Sequence, residues 1–385
     1  MLKLLLSVLK SLKILFNAKL EFSKPPHKRF LIFDEVNSEI LKNYLKNNYT
    51  YLHCRNEKFN LYVLFFNFLN KKFNKLDYYN SYIGYVNPRI IISTIDNNPT
   101  FYKLKKNINQ KKILIQMGWK SPIYDKSIFS FKKNKVKIIK DKLYNIDTIL
   151  VFNKSIGNFF KSLNAKKVIE IGSFRSNHIE INSKKKIDLL YISSWNNIDP
   201  KKKYTNIVNG KEYLLMHNKI LNNLNKYLEK YDVNLHILGK KNKFLNENLE
   251  FNFYKKIFKN SKWTFLQSEK YNSYKVVDSS KIIINLHSTL GYESLSRGNK
   301  TIFLDPYSNK IKTINFGWPC EDLKKNGPFW TTDVSFKGIE KIINNLKNMK
   351  NKKFLSLQKK YSKKLMPYNK KNTKLKSEIF TLNVR

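Results

Sequence analysis

Strand-like and helix-like segments alternate along nearly all of this 385-residue chain, and the alternation runs through twice. Repeated βα units build a parallel sheet covered by helices. The sequence therefore predicts an α/β protein with two Rossmann-like domains, their parallel sheets facing each other across a cleft. The strand candidates agree, since several are continuous apolar runs such as Ile90-Ile91-Ile92, suited to burial on both faces. So does the length, which exceeds one ordinary core and suits two domains of ~150–200 residues. The 27 Phe, 23 Tyr and 42% hydrophobic residues can fill two cores.

The chain opens on MLKLLLSVLKSLKILF. At 100° per residue, Leu2, Leu4, Leu5, Val8, Leu9, Leu12, Leu15 and Phe16 fall on one arc, with Lys3, Ser7, Lys10, Ser11 and Lys13 on the other and Leu6 and Ile14 out of place. No run approaches the ~20 apolar residues of a spanning helix. Two arrangements fit: a helix lying in a membrane interface, or one packed on the protein body. After Pro25-Pro26, strands are expected at 30–34, 50–54, 89–95, 112–117, 148–152 and 167–171, with helices at 38–46, 61–73 and 154–163. The polar, aperiodic stretch 173–186 reads as the linker. Strands then follow at 187–192, 235–238, 263–266, 281–286 and 301–304, and helices near 212–230, 251–258, 290–297 and 338–349. The resulting division is an amphipathic segment in 1–24, a first Rossmann-like domain over 25–175, a second over 176–350 and a helical tail over 351–385.

The net charge of +46 points first to nucleic acid, but composition argues against it. Only Arg29, Arg55, Arg89, Arg175, Arg297 and Arg385 are arginines among 74 basic residues. Base and phosphate readers favour Arg for bidentate contacts, and here Lys is scattered along the whole length. The excess of Lys, Asn, Ile, Tyr and Phe also follows from A/T-rich codons. What remains is attraction to polyanions, including anionic lipid headgroups and nucleotide phosphates. Cys54 and Cys320 lie far apart, with neither metal-ligand spacing nor a disulfide framework.

Several chemistries lack their motifs. The eleven glycines never form G-x-G, so the dinucleotide fingerprint is missing. There is no P-loop, no G-x-S-x-G elbow, no H-E-x-x-H or Cys/His cluster, and no Asp-x-Asp pair for a metal-bound sugar nucleotide. No resident metal or cofactor is expected.

The most informative stretch is VDSSKIIINLHSTLGYESLSRGNKTIFLD, residues 277–305. Residues 281–286 read as a buried strand, His287-Ser288-Thr289 as its carboxyl-end turn, and 290–297 as the next helix. Ser288, Thr289 and the free N–H groups of the helix start would meet an anion there. Gly291 opens the first turn to close approach, and Glu293 is placed to accept from a sugar or ribose hydroxyl. The same pattern also fits a Ser/Thr cap with Glu as its partner, which needs no ligand.

This stretch resembles the donor-site segment of GT-B glycosyltransferases, matching it at Asp278, Ser288, Thr289, Glu293 and Gly298. It departs at Thr301, where that family more often has Pro. PRIIISTIDNNPTFYKLKK…KKILIQMGW, residues 88–119, is similar to transferases of surface-polysaccharide and O-antigen gene clusters. It carries Asp96-Asn97-Asn98-Pro99 and Gln116-Met117-Gly118; IGSFR, with Arg175, and YISSW look similar too. The resemblance implies metal-independent transfer of a sugar to a lipid-linked or polysaccharide acceptor beside the first domain. The donor would be a nucleotide-sugar substrate held by the second domain. The setting would be cytoplasmic, peripheral on the inner face of the cell membrane.

Asp96, at the carboxyl end of a central strand, is then the candidate base, and an Asx cap before Pro99 is its structural alternative. Asp34 and Glu35 are reserve candidates. Gly239 and Lys240 would meet the donor diphosphate, or Lys240 would simply be an exposed lysine. His287 would stabilise the leaving phosphate or simply fill the core. Asn97, Asn98, Gln116, Gly118 and Arg175 are further cleft candidates. The aromatic pairs Trp318-Pro319 and Phe329-Trp330 either stack on a ligand or pack under their loop. Polyol-phosphate transfer, sugar-nucleotide epimerisation and non-catalytic polyanion binding are the rival readings.

Overall fold

Strand residues alternate between faces, so a strand that is apolar throughout needs cover on both sides. The computed structural model describes residues 16–122, 129–132, 135–138, 146–181, 184–205, 207–240, 247–267, 272–309, 314–320 and 322–381. The amphipathic opening stretch lies outside them apart from Phe16. Along the chain the strands are β1 (Lys19–Glu21), β2 (Phe30–Phe33), β3 (Tyr49–Leu52), β4 (Lys58–Asn60), β5 (Ile90–Ser93), β6 (Lys111–Ile115), β7 (Phe129–Lys132), β8 (Lys135–Ile138), β9 (Ile146–Val151), β10 (Ala165–Glu170), β11 (Ile187–Ile192), β12 (Leu235–Leu238), β13 (Trp263–Leu266), β14 (Ser280–Asn285), β15 (Thr301–Leu304) and β16 (Trp330–Thr331).

Two six-stranded sheets carry the fold, ordered β10-β9-β6-β5-β2-β3 and β13-β12-β11-β14-β15-β16. Every pairing within both is parallel. In the first, Leu31, Phe33, Ile91 and Leu114 pack into one core, while Phe30, Ile32, Ile90, Ile92, Ile113 and Ile115 face another closed by the helix Glu39–Leu45. The second sheet divides likewise, Leu189, Tyr191 and Ile284 on one side, Leu190, Ile192 and Ile283 on the other. The expected architecture is thus present: two Rossmann-like parallel sheets in two domains. β1 with β4, and the antiparallel pair β7 and β8, are small additions that the apolar periodicity did not reveal.

The stretch read as a linker is more firmly held than its polarity suggested. It contains the short helix Phe174–His178, with Phe174, Ser176 and Asn177 buried. Five residues are too few to show a helical period. From the second domain, Arg297 pairs through two nitrogens with the Asp278 carboxylate and donates to the carbonyls of Ser176, Ile179 and Glu180. A buried guanidinium with its donors so used is well matched to its site.

The chain crosses back at its end. The helix Asn351–Leu365 packs beside Thr289–Ser296, where Gln358 donates to the carbonyl of Leu295 at 2.7 Å. Asn153 Nδ2 then donates to the carbonyl of Leu365 at 2.6 Å, and Asn372 donates to the carbonyl of Phe174 at 2.9 Å. Leu375 and Ile379, on the helix Thr373–Thr381, complete the core on the outer face of the first sheet. Gly172 sits at this crossing with φ +69°, and a Cβ there would stand 1.8 Å from the carbonyl oxygen of Pro367.

Gly172→Ala is therefore expected to lower unfolding stability by about 2 kcal/mol or more. Gly84→Ala, in the helix Lys75–Val86 where a Cβ meets nothing within 4 Å, should stabilise slightly. Urea denaturation of both variants checks the opposite signs.

Candidate functional site

Ligands of open α/β sheets collect outside the carboxyl ends of the strands, where the strand order reverses. That reversal falls between β2 and β5 in the first sheet and between β11 and β14 in the second. The residues leaving these strands are Asp34-Glu35, Thr94 to Asp96, Ser193-Ser194 and Leu286 to Thr289.

On the first domain, Asp96 is only 6% exposed. Its carboxylate accepts from the Met117 N–H at 3.3 Å and lies 3.5 Å from Lys120 Nζ. The cap of the helix Pro99–Lys103 is Asn98, whose side chain accepts from the Thr100 N–H, so Asp96 is not spent on capping. Asn97 is exposed beside it. Gln116 is fully buried and structural, accepting from the Phe152 N–H and donating to the carbonyl of Gly118. Asp34 and Glu35 are engaged elsewhere. Asp34 accepts from Arg55 Nε at 2.8 Å and from the Val36 N–H, while Glu35 lies 3.7 Å from Lys42 and 4.0 Å from His53.

The loop after β6 reaches the second domain directly. The Trp119 N–H donates to Thr289 Oγ1 at 3.0 Å, and its ring lies on Tyr292 with centroids 3.9 Å apart and planes 2° apart. Tyr292 stacks on Phe316, and Phe316 on Trp330, at interplanar angles of 14° and 16°. A column of rings thus joins the first domain to the far edge of the second sheet. Phe329 and Trp330 are buried packing residues, whereas Trp318 is half-buried and lines the cavity described below.

Across the seam, Ser288 caps the helix Thr289–Ser296 by accepting from the Leu290 N–H. The Asn285 amide fixes the turn, donating to the carbonyl of Ser288 and accepting from its N–H. Gly291 makes room for that amide, since a Cβ there would lie 2.3 Å from Asn285 Nδ2. Lys240 Nζ donates to Asn196 Oδ1 at 2.9 Å, and Gly239 before it is crowded by the Phe265 ring. Burial pushes the Lys240 ammonium down to about 8, the Glu250 carboxylate opposing the shift. His287 is pushed down to about 3 by burial, then by the charges of Lys240 and His217, so its imidazole is neutral at physiological pH. His217 shows the same shift for the same first reason, and is held by Tyr191 and Ser194 at 3.0 Å each.

Glu293 and Arg175 lie apart from this group. Glu293 is 2% exposed, and Ser173 of the first domain donates to its Oε1 at 2.5 Å. Burial and Glu293 hold the neighbouring Tyr274 hydroxyl well above its usual range, with Arg175 pulling the other way. Glu293 thus serves the seam between domains, and it is not the capping partner of Ser288.

A cavity of about 70 Å³ opens where the domains meet, lined by Trp119, Ser121, His287, Tyr292, Asp305 and Trp318 among others. Asp305, leaving β15, accepts from the Ser308 hydroxyl and from the N–H groups of Tyr307 and Ser308. Burial raises its carboxyl and those hydrogen bonds partly offset the rise. Sequence reasoning did not single out Asp305, although its place after a strand is the signal that picked Asp96. Trp119, Tyr292 and Lys120 gave no separate signal, because only the closeness of two domains makes them partners. Among the described residues, no three His, Cys, Asp or Glu side chains converge as a metal set.

Two Rossmann-like parallel sheets with their strand ends facing across a seam define the GT-B class of fold. Residues 113–381 match the family described as "putative O-antigen biosynthesis protein", and the chain belongs to that family. Wall teichoic acid polymerase TagF is similar at 14% identity over 94% of this chain and 90% of that one, with a TM-score of 0.52. UDP-GlcNAc 2-epimerase from Neisseria meningitidis is similar at 10% identity over 92% and 99%, with a TM-score of 0.50. At these identities the likeness is one of fold. No curated protein matches the chain. The resemblance read from the 277–305 and 88–119 motifs agrees with both the family and the fold.

Burial pushes Lys240 down to about 8, so any anion that it meets should bind less tightly as pH rises from 7 to 9. Lys240→Arg should flatten that dependence. Calorimetric titration with a nucleoside diphosphate at several pH values measures both.

Proposed function

We propose that the chain is a metal-independent glycosyltransferase, moving a sugar from a nucleotide-activated donor to a lipid-linked or polysaccharide acceptor. The observation that carries this reading is the meeting of the two switch-point edges. A buried carboxylate with a lysine partner, Asp96 and Lys120, stands on one side. The amino end of Thr289–Ser296, with His287 and Lys240, stands on the other. Membership of an O-antigen biosynthesis family supports carbohydrate assembly as the setting. That structures of similar fold carry UDP-GlcNAc, or were soaked with CDPG, supports a nucleotide-activated substrate.

In this reading Asp96 takes the proton of the acceptor hydroxyl as its oxygen bonds to the sugar C1 and the C1–phosphate oxygen bond breaks. Lys120 holds the carboxylate in position. The departing nucleoside diphosphate carries the displaced electron pair, and the helix amino end and Lys240 meet its charge. His287, being neutral, contributes a hydrogen bond and no charge. Asp305, which lines the cavity, is the alternative proton acceptor. No helix among the described residues is long and apolar enough to cross a membrane. Attachment at the inner face would rest on the basic surface and the opening amphipathic stretch.

A thermal-shift screen should find a nucleotide sugar that raises Tm, and by mass action the best stabiliser is the donor. Asp96→Asn should leave that shift intact and lower transfer to a carbohydrate acceptor by about 10²–10⁴-fold. An isomerised sugar formed from labelled donor without acceptor would mean epimerisation. Transfer of a polyol phosphate would put the chain beside the teichoic-acid polymerases. Binding to arbitrary DNA with steep salt dependence, and to no nucleotide sugar, would refute the reading.

A further inference from the structure

The helix Leu61–Leu69 buries one face and leaves the other bare. Val63 and Asn67 turn inward, whereas Phe65, Phe68 and Leu69 are 58%, 67% and 57% exposed. Their i, i+3, i+4 spacing puts all three on one face. Phe73, just beyond the helix, is 74% exposed and meets Phe68 edge-on with ring centroids 6.1 Å apart. β1 runs beside β4, which leads into this helix, with Glu21 opposite Asn60. Phe16 precedes β1 and Phe22 follows it, 87% exposed for Phe16 and 73% for Phe22. Lys19, Lys24, Lys71 and Lys72 are exposed around them. Single exposed apolar residues are ordinary, but a contiguous set of large ones marks an interaction surface.

The rim decides the partner. Exposed lysines next in the chain to exposed aromatic residues complement a surface that is anionic outside and apolar just beneath, as a membrane interface is. The chain's +46 charge adds long-range attraction of the same sign. We propose that Phe65, Phe68, Leu69 and Phe73 insert at the headgroup–acyl boundary of an anionic membrane, with Lys71 and Lys72 against the lipid phosphates. This deepens the membrane-surface part of the reading above and does not depend on which reaction is catalysed.

The test is flotation of the full-length protein with phosphatidylglycerol/phosphatidylcholine vesicles and with phosphatidylcholine alone, compared with Phe65→Ser/Phe68→Ser. We expect the wild type to bind the anionic vesicles and the variant to partition about tenfold or more weaker. Tm and the nucleotide-sugar thermal shift should be unchanged in the variant, which separates loss of membrane contact from failure to fold or to bind donor. Vesicle binding left intact by the double variant would overturn the proposal. So would a wild-type dimer, seen by light scattering, that the double variant dissolves, since a second copy would then be the occupant of this face.

Discussion

Trp119 lies flat on Tyr292 and donates its backbone N–H to Thr289, and through these two contacts one domain takes its position from the other. An isolated aromatic pair is worth about 0.5–1.5 kcal/mol beyond its buried area. Here it heads a column continuing through Phe316 to Trp330, at the edge strand of the second sheet. Moving the loop after β6 would therefore disturb packing across the whole second domain. The placement of Asp96 follows from this constraint, because its carboxylate is held by Met117 and Lys120, which flank Trp119 closely in the chain.

Behind the seam, polar groups do what apolar packing does elsewhere. The guanidinium of Arg297, buried against Asp278, organises the backbone of residues 176–180, and Glu293 receives Ser173 from the other domain. Removing one member of such a buried pair leaves an uncompensated charge, which typically costs several kcal/mol. Asp278 and Glu293 both belong to the motif that resembles the donor segment of GT-B enzymes. In this chain Glu293 ties the two domains and Asp278 fixes Arg297, while Ser288, Thr289 and His287 from the same motif remain partly open at the groove.

The strands were legible because most are predominantly apolar, as burial in a covered sheet requires. Residues 187–192, 235–238, 263–266 and 301–304 coincide with the observed strands. The helix Lys75–Val86 was missed because its buried face is tyrosine, with Tyr78, Tyr79 and Tyr82 inside among Asp, Asn and Ser. The candidate site was legible only where position along a strand carries the information, as at Asp96, Lys240 and His287. The partnerships of Lys120 with Asp96, Ser173 with Glu293 and Asn285 with Gly291 depend on loops and domains meeting in space. No local pattern records such a meeting.

The returning tail makes the first lobe discontinuous in sequence. Its outer face is roofed by Leu375 and Ile379, which follow the entire second lobe in the order of synthesis. While the chain is being made, that apolar surface stays bare until residues 375 and 379 have emerged. The earlier half thus waits on the later one, and the two lobes reach their final form together.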